Sequence, residues 1–125
     1  NLDSYTRSNG AFDLAAAEAH ATLLAELAHR EKLAAGQKNT PELGRRGPAD
    51  IGFDFAVAEE CRSFDECTAY TDVYGDYVID IEYIDDLGAP LVQVCADLQL
   101  PRSSVIRDRM LSAPGSPDYR LERCR

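Results

Sequence analysis

The chain has 125 residues, 45% of them hydrophobic, which suits one domain with a modest core and excludes a disordered segment. Its net charge of −9 argues against nucleic acid and anionic membrane as partners, since both need a basic surface. No apolar stretch approaches the roughly 18 residues of a membrane span.

The first ten residues are polar and read as a loop. The start at Asn1, with no signal peptide, suggests a processed or truncated chain. Asp13 can cap a helix running to about Glu31. Within it Ala17, Ala21, Leu24 and Ala28 make an apolar stripe suited to packing on a sheet. His20 and His29 fall on opposite faces of that helix and cannot jointly hold a metal.

Four strand-like runs follow, at 33–38, 53–60, 77–83 and 104–109. The Pro/Gly-rich "NTPELGRRGPAD" follows the first, a short helix at 64–73 the second, and a helix at 89–98 the third. The last ten or so residues read as a tail. The alternation implies βα units and a parallel sheet, either half of an eight-stranded barrel or a small doubly wound sheet. Polar residues cluster at the strand C-termini: Lys38 and Asn39, then Glu59 and Glu60, then Glu82 and Tyr83. That rim is where (β/α)8 barrels build their sites, but an open α/β sheet also binds at its carboxyl ends, so the clustering locates the site without choosing the fold.

The cysteines are Cys61, Cys67, Cys95 and Cys124. There is no CxxC pair and no histidine nearby, so a zinc site is not expected. An even count with one short loop reads as two disulfides, Cys61–Cys67 and Cys95–Cys124, which places the chain outside the reducing cytosol.

In the third strand, "YVIDIEY", Val78, Asp80 and Glu82 share one face while Ile79, Ile81 and Tyr83 share the other. The isoleucine face is expected to pack on helices, which would turn Asp80 and Glu82 into the barrel. On the second strand Glu59 and Glu60 point to opposite faces, and periodicity does not choose between them. Paired acids at a barrel mouth suit glycoside cleavage: one carboxyl protonates the leaving oxygen, and the other attacks or activates water. No GxSxG supports a nucleophilic serine, and no Gly-rich loop supports phosphate binding. No cofactor or metal is called for.

"NLDSY", "GQKNTPEL", "FDFAVAEEC…DEC" and "IEY" stand in the order and spacing of glycoside hydrolase family 114, the endo-α-1,4-polygalactosaminidases, and the chain resembles that family from Asn1 to Cys124. The resemblance implies a secreted enzyme with a parallel (β/α)8 TIM-barrel fold, cleaving galactosamine-containing polysaccharide. It implies that residues 1–125 form a single partial domain, the C-terminal half of the barrel, from helix 4 to strand 8. The family's fourth strand ends in Glu-Pro-Asp-Asn; Asn1 matches its last residue, so the implied catalytic Asp lies one position before this chain. The missing N-terminal half of the barrel would be a partner of this one, and the isolated fragment would be inactive.

The carried-over site comprises Glu59 and Glu82 as catalytic acids, with Asn1, Asp3, Tyr5, Lys38, Asn39, Glu60 and Tyr83 around the substrate. The resemblance favours Glu59 over Glu60 as the working acid and supports the Cys61–Cys67 pair. Strand 8 in the family tends to carry Lys-Asp, and Arg107-Asp108 here keeps the charges. A cationic aminosugar polymer fits the acidic balance, and tyrosines such as Tyr5, Tyr70 and Tyr83 could stack on sugar faces. Two other readings stand beside this one: a non-catalytic carbohydrate-binding module on the same scaffold, and a hydrolase of another aminosugar polymer.

Overall fold

Four parallel strands and a short antiparallel fifth form one sheet in the computed structural model, which describes residues 2–124. They are β1 (Gly36–Lys38), β2 (Phe55–Glu59), β3 (Val78–Tyr83), β4 (Ser103–Arg107) and β5 (Leu121–Arg123), lying side by side in that order. The helices are α1 (Leu14–Arg30), α2 (Cys67–Tyr74) and the single turn α3 (Leu91–Val94). The succession of strand, helix and parallel neighbouring strand is that of a (β/α) barrel, of which these elements make a part.

Asp13 caps α1 by accepting the Ala16 N–H at 2.9 Å. The buried stripe of α1 differs from the expected one: it runs Ala17, Ala21, Ala25, and Leu24 is exposed. Steps of four keep three small side chains in one row, letting the helix approach Leu43, Ile51 and Phe53. Between β1 and β2, the Pro/Gly-rich connection is a 3-10 turn, Pro41–Leu43, followed by a wider π-helical turn, Gly47–Ile51. The expected helix at 89–98 shrinks to α3, which buries only Val94; Val92 within it and Leu98 beyond it are exposed. The tail pairs instead as β5, with Ile106 opposite Glu122, and the Cys95–Cys124 disulfide fastens it.

The two faces of the sheet are reversed from the sequence expectation. Gln37, Ala56, Ala58, Val78, Asp80, Glu82, Ser104 and Ile106 all turn to the helix side and are buried. There Tyr70 and Tyr74 of α2 pack on Ala56, Ala58 and Val78. Val57, Ile79, Ile81 and Val105 turn the other way, toward the barrel interior, where branched apolar residues usually fill the layers. Asp80 and Glu82 therefore do not point into the barrel.

A buried polar network stiffens the end of β1. Tyr74 donates to Gln37 Oε1 at 2.7 Å, and the Gln37 amide donates to the carbonyls of Asn39 and Thr40, each at 2.9 Å. Those two carbonyls belong to residues in the left-handed region, with φ of 53° and 67°. Gly47 lies against this network; a Cβ there would run into Tyr74 Oη and Gln37 Oε1. Gly47→Ala should therefore cost about 1–3 kcal/mol, the usual range for overpacking. A lowered denaturant midpoint with an unchanged m-value would show it, and an unchanged midpoint would contradict it.

Candidate active site

Glu59 ends β2 on the inner face, and three neighbours converge on its carboxylate. Lys38 Nζ, from the end of β1, donates to Oε2 at 2.5 Å. The Asn39 side chain donates to the same oxygen at 3.3 Å and accepts the Glu59 backbone N–H at 2.9 Å. Tyr83, at the end of β3, donates its hydroxyl to Oε1 at 2.7 Å. The residues come together because parallel strands end at one rim, and because the left-handed turn at Asn39, held by the Gln37 network, aims its amide back at β2. Lys38 first, then Tyr83 and Asn39, hold the Glu59 carboxyl below its ordinary range. Burial and the bond to Glu59 push the Tyr83 phenol up to about 12, so it stays protonated and a donor.

Glu60 lies just past β2 in the left-handed region, with φ of 57°, and pairs with Arg109. Arg109 also reaches Asp85, and its guanidinium lies 4.5 Å from the centre of the Tyr83 ring. Nothing in the sequence pattern singles out Arg109, which lies beyond the end of β4 and 49 residues from Glu60.

Glu82 sits on the helix side, fully buried beneath the Cys61–Cys67 loop. It accepts the Arg62 backbone N–H at 2.8 Å and the Ser63 hydroxyl at 3.3 Å. Burial pushes its carboxyl up, and the Arg62 N–H partly offsets that. Its contacts anchor the disulfide loop to the end of β3, and they lie on the opposite face from Glu59. The expected pairing of Glu59 with Glu82 is accordingly not formed: one carboxylate faces the inner rim and the other the helix layer.

The helical turn Leu2–Arg7 carries Asp3 and Tyr5 against α1. Asp3 pairs with Arg7 at 3.4 Å, while its other carboxylate oxygen is shielded and has no partner among the described residues. Tyr5 is half-buried. No hydrogen bond among the described residues joins Asp3 or Tyr5 to the Glu59 group. Asn1 lies outside the described residues. Past β4, Asp108 turns inward to accept the Ser112 and Arg120 backbone N–H groups, which lower its carboxyl to about 2.

The rim is close to neutral despite the charge of the chain. Lys38, Arg107 and Arg109 stand among four carboxylates, Glu59, Glu60, Asp85 and Asp108. Such a site can hold one carboxylate charged, bounded by a fixed cation and a neutral phenol donor. That arrangement suits chemistry at an oxygen or a carbon developing positive charge.

The sequence model of glycoside-hydrolase family GH114 matches residues 1–125. Among solved structures, the chain is similar to Aspergillus fumigatus Ega3 in complex with galactosamine, at 24% identity and a TM-score of 0.74. The match covers 99% of this chain and 51% of that one, so the chain spans about half the length of that relative. The likeness shows a shared α/β fold. No curated protein matches the chain.

Proposed function

The chain belongs to glycoside-hydrolase family GH114, and from that premise we propose that it carries part of the active site of an endo-acting hydrolase of α-1,4-linked galactosamine polymer. The observation that supports this reading is the held carboxylate of Glu59, set at the barrel rim by Lys38, Asn39 and Tyr83. Hydrolysis needs a second carboxylate across the glycosidic bond. Glu82 faces the wrong side for that role, so the partner acid is assigned to the Asp that precedes Asn1 in the family's pattern. When the two acids approach, their repulsion opposes the pull of Lys38 and sets which one carries the proton. Lys38, Asn39 and Tyr83 then orient Glu59, with Tyr83, buried and covered by Arg109, serving as a hydroxyl donor rather than as a stacking face.

The substrate class fits the charge. The −9 of the whole chain favours a polymer with free amines, and because the rim is nearly balanced the attraction acts through the overall field. The relative solved with galactosamine supports an aminosugar. The two disulfides, Cys61–Cys67 and Cys95–Cys124, favour an oxidising, extracellular setting; no described helix is long and apolar enough to cross a membrane.

Reducing-end release by the intact protein tests this reading. The panel is partially deacetylated α-1,4-galactosaminan, galactosaminogalactan, chitosan and their N-acetylated forms. Fastest release from the galactosamine polymers is expected. Preference for chitosan would assign another aminosugar polymer. Binding without release from any polymer would replace the hydrolase with a carbohydrate-binding module.

A further inference from the structure

We propose that Arg109 is a positioning residue for Glu59, acting through the Tyr83 ring, and that it fastens three strand ends into one rim. The inference rests on the reading of Glu59 given above. Arg109 meets Glu60 as a fork, Nη2 to Oε1 at 2.8 Å and Nη1 to Oε2 at 3.3 Å. It meets Asp85 with a second edge, Nε to Oδ2 at 3.0 Å and Nη2 to Oδ1 at 3.1 Å. Glu60 follows β2, Asp85 follows β3 and Arg109 follows β4, so one guanidinium ties the ends of three adjacent strands.

The flat of that guanidinium lies over Tyr83, 4.5 Å from the ring centre. Two carboxylates fix the plane from its edges, and the fixed plane covers the ring. Tyr83 has one polar atom, and it donates to Glu59 Oε1 at 2.7 Å. A tilt of the ring moves that hydroxyl off the carboxylate. The groups that hold Glu59 charged are Lys38, Tyr83 and Asn39; Arg109 does not touch it, so its influence passes through the ring. Asp85 is held below its usual range by Arg109, so the tie persists in mild acid. Lysine at this position would keep a charge for Glu60 or Asp85 but would lose the planar cover.

The test follows the titration of the Glu59 carboxyl by carbon NMR in the intact protein, which needs no substrate. Arg109→Met and Arg109→Lys are each made with Tyr83 present and in a Tyr83→Phe background. With Tyr83 present, Arg109→Met should raise the Glu59 midpoint, and Arg109→Lys should raise it less. In the Tyr83→Phe background neither change should add to the shift that Tyr83→Phe alone produces. Equal shifts in both backgrounds would mean direct electrostatics and overturn the proposal, as would no shift at all. If Arg109→Met does not fold, the Arg109→Lys pair decides the same question.

On galactosamine polymer, the folded Arg109 variants should lose about tenfold to a hundredfold in kcat, the scale of a small misplacement, with KM within about twofold. A loss in KM alone would assign Arg109 to substrate contact instead. If the intact protein cleaves no polymer, the hydrolase reading fails, while the titration still decides the role of Arg109.

Discussion

Glu59→Gln should reduce polymer cleavage by the intact protein by about a hundredfold or more, the scale of one acid–base group, while leaving the fold in place. The amide keeps the shape of the carboxylate, and its one oxygen can still accept from Tyr83, while the NH2 in place of the other oxygen no longer accepts from Asn39 or Lys38. What is lost is the charge, with the Lys38 ion pair. That pair is about a third exposed at each end, so its loss should change stability by less than about 1 kcal/mol. A thermal melt close to that of the parent, beside a large loss of rate, therefore separates chemistry from folding. Lys38→Met gives a second reading of the same group. Lys38 is the main cause of the lowered Glu59 carboxyl, so its removal raises that carboxyl's pKa. Whichever limb of the pH–rate profile Glu59 sets must then move to higher pH. Cleavage that survives Glu59→Gln would shift the acid role to Glu60 and leave the Lys38 contact purely structural.

Much of this rim could be read from the sequence because it depends on strand order and strand ends. The Asp13 cap, the alternation of apolar strands with helices and the acids at the ends of β2 and β3 all carry local signals. The direction of the β3 faces could not be read in the same way. "YVIDIEY" offers one apolar face and one acidic face, and apolar-to-helix is the natural choice for an open sheet. A barrel has two buried faces, and here Ile79 and Ile81 go to the interior layers while Asp80 and Glu82 go behind the sheet. The signal that would have resolved it lay on β2: Ala56 and Ala58 are small enough to admit the tyrosines of α2, and β3 must share their register. β5 had no signal to give. Its three residues are all exposed, and it is held by a disulfide and by pairing with β4. Arg109 was invisible for a different reason. Its partners lie 24 and 49 residues away, and only the fold brings the ends of β2, β3 and β4 to one arginine.

Asp80→Asn should remove a large part of the pH dependence of stability between about pH 4 and 7. Asp80 is fully buried on the helix side of β3, and among the described residues neither carboxylate oxygen has a hydrogen-bond partner. The nearby Ser104 hydroxyl donates to the Pro101 carbonyl instead, at 2.7 Å. Around Asp80 stand Glu82 two residues on along the same face, Ser104 across on β4, and Tyr70 of α2. None of them offers a positive charge. Desolvation, and then the charge of Glu82, raise the Asp80 carboxyl from 3.8 to about 7. A folded-state value above the unfolded one means that the folded chain binds the proton more tightly. The resulting stability is fully present below about pH 4, declines as pH rises toward 7, and is gone above it. A rise of about three units corresponds to about 4 kcal/mol across that window. Glu82 and Glu66 are raised as well and add to the decline, whereas Glu59 and Asp108 are lowered and act in the opposite direction at more acid pH. Denaturant melts of the parent and the Asp80→Asn variant from pH 4 to 8 measure the difference. The variant should gain on the parent steadily as pH rises and hold a constant lead above about 7. Parallel curves across the range would mean that Asp80 is ionised in the folded protein throughout, with the Ser104 hydroxyl and the Cys61 and Ile81 backbone N–H groups, which act to lower it, outweighing desolvation.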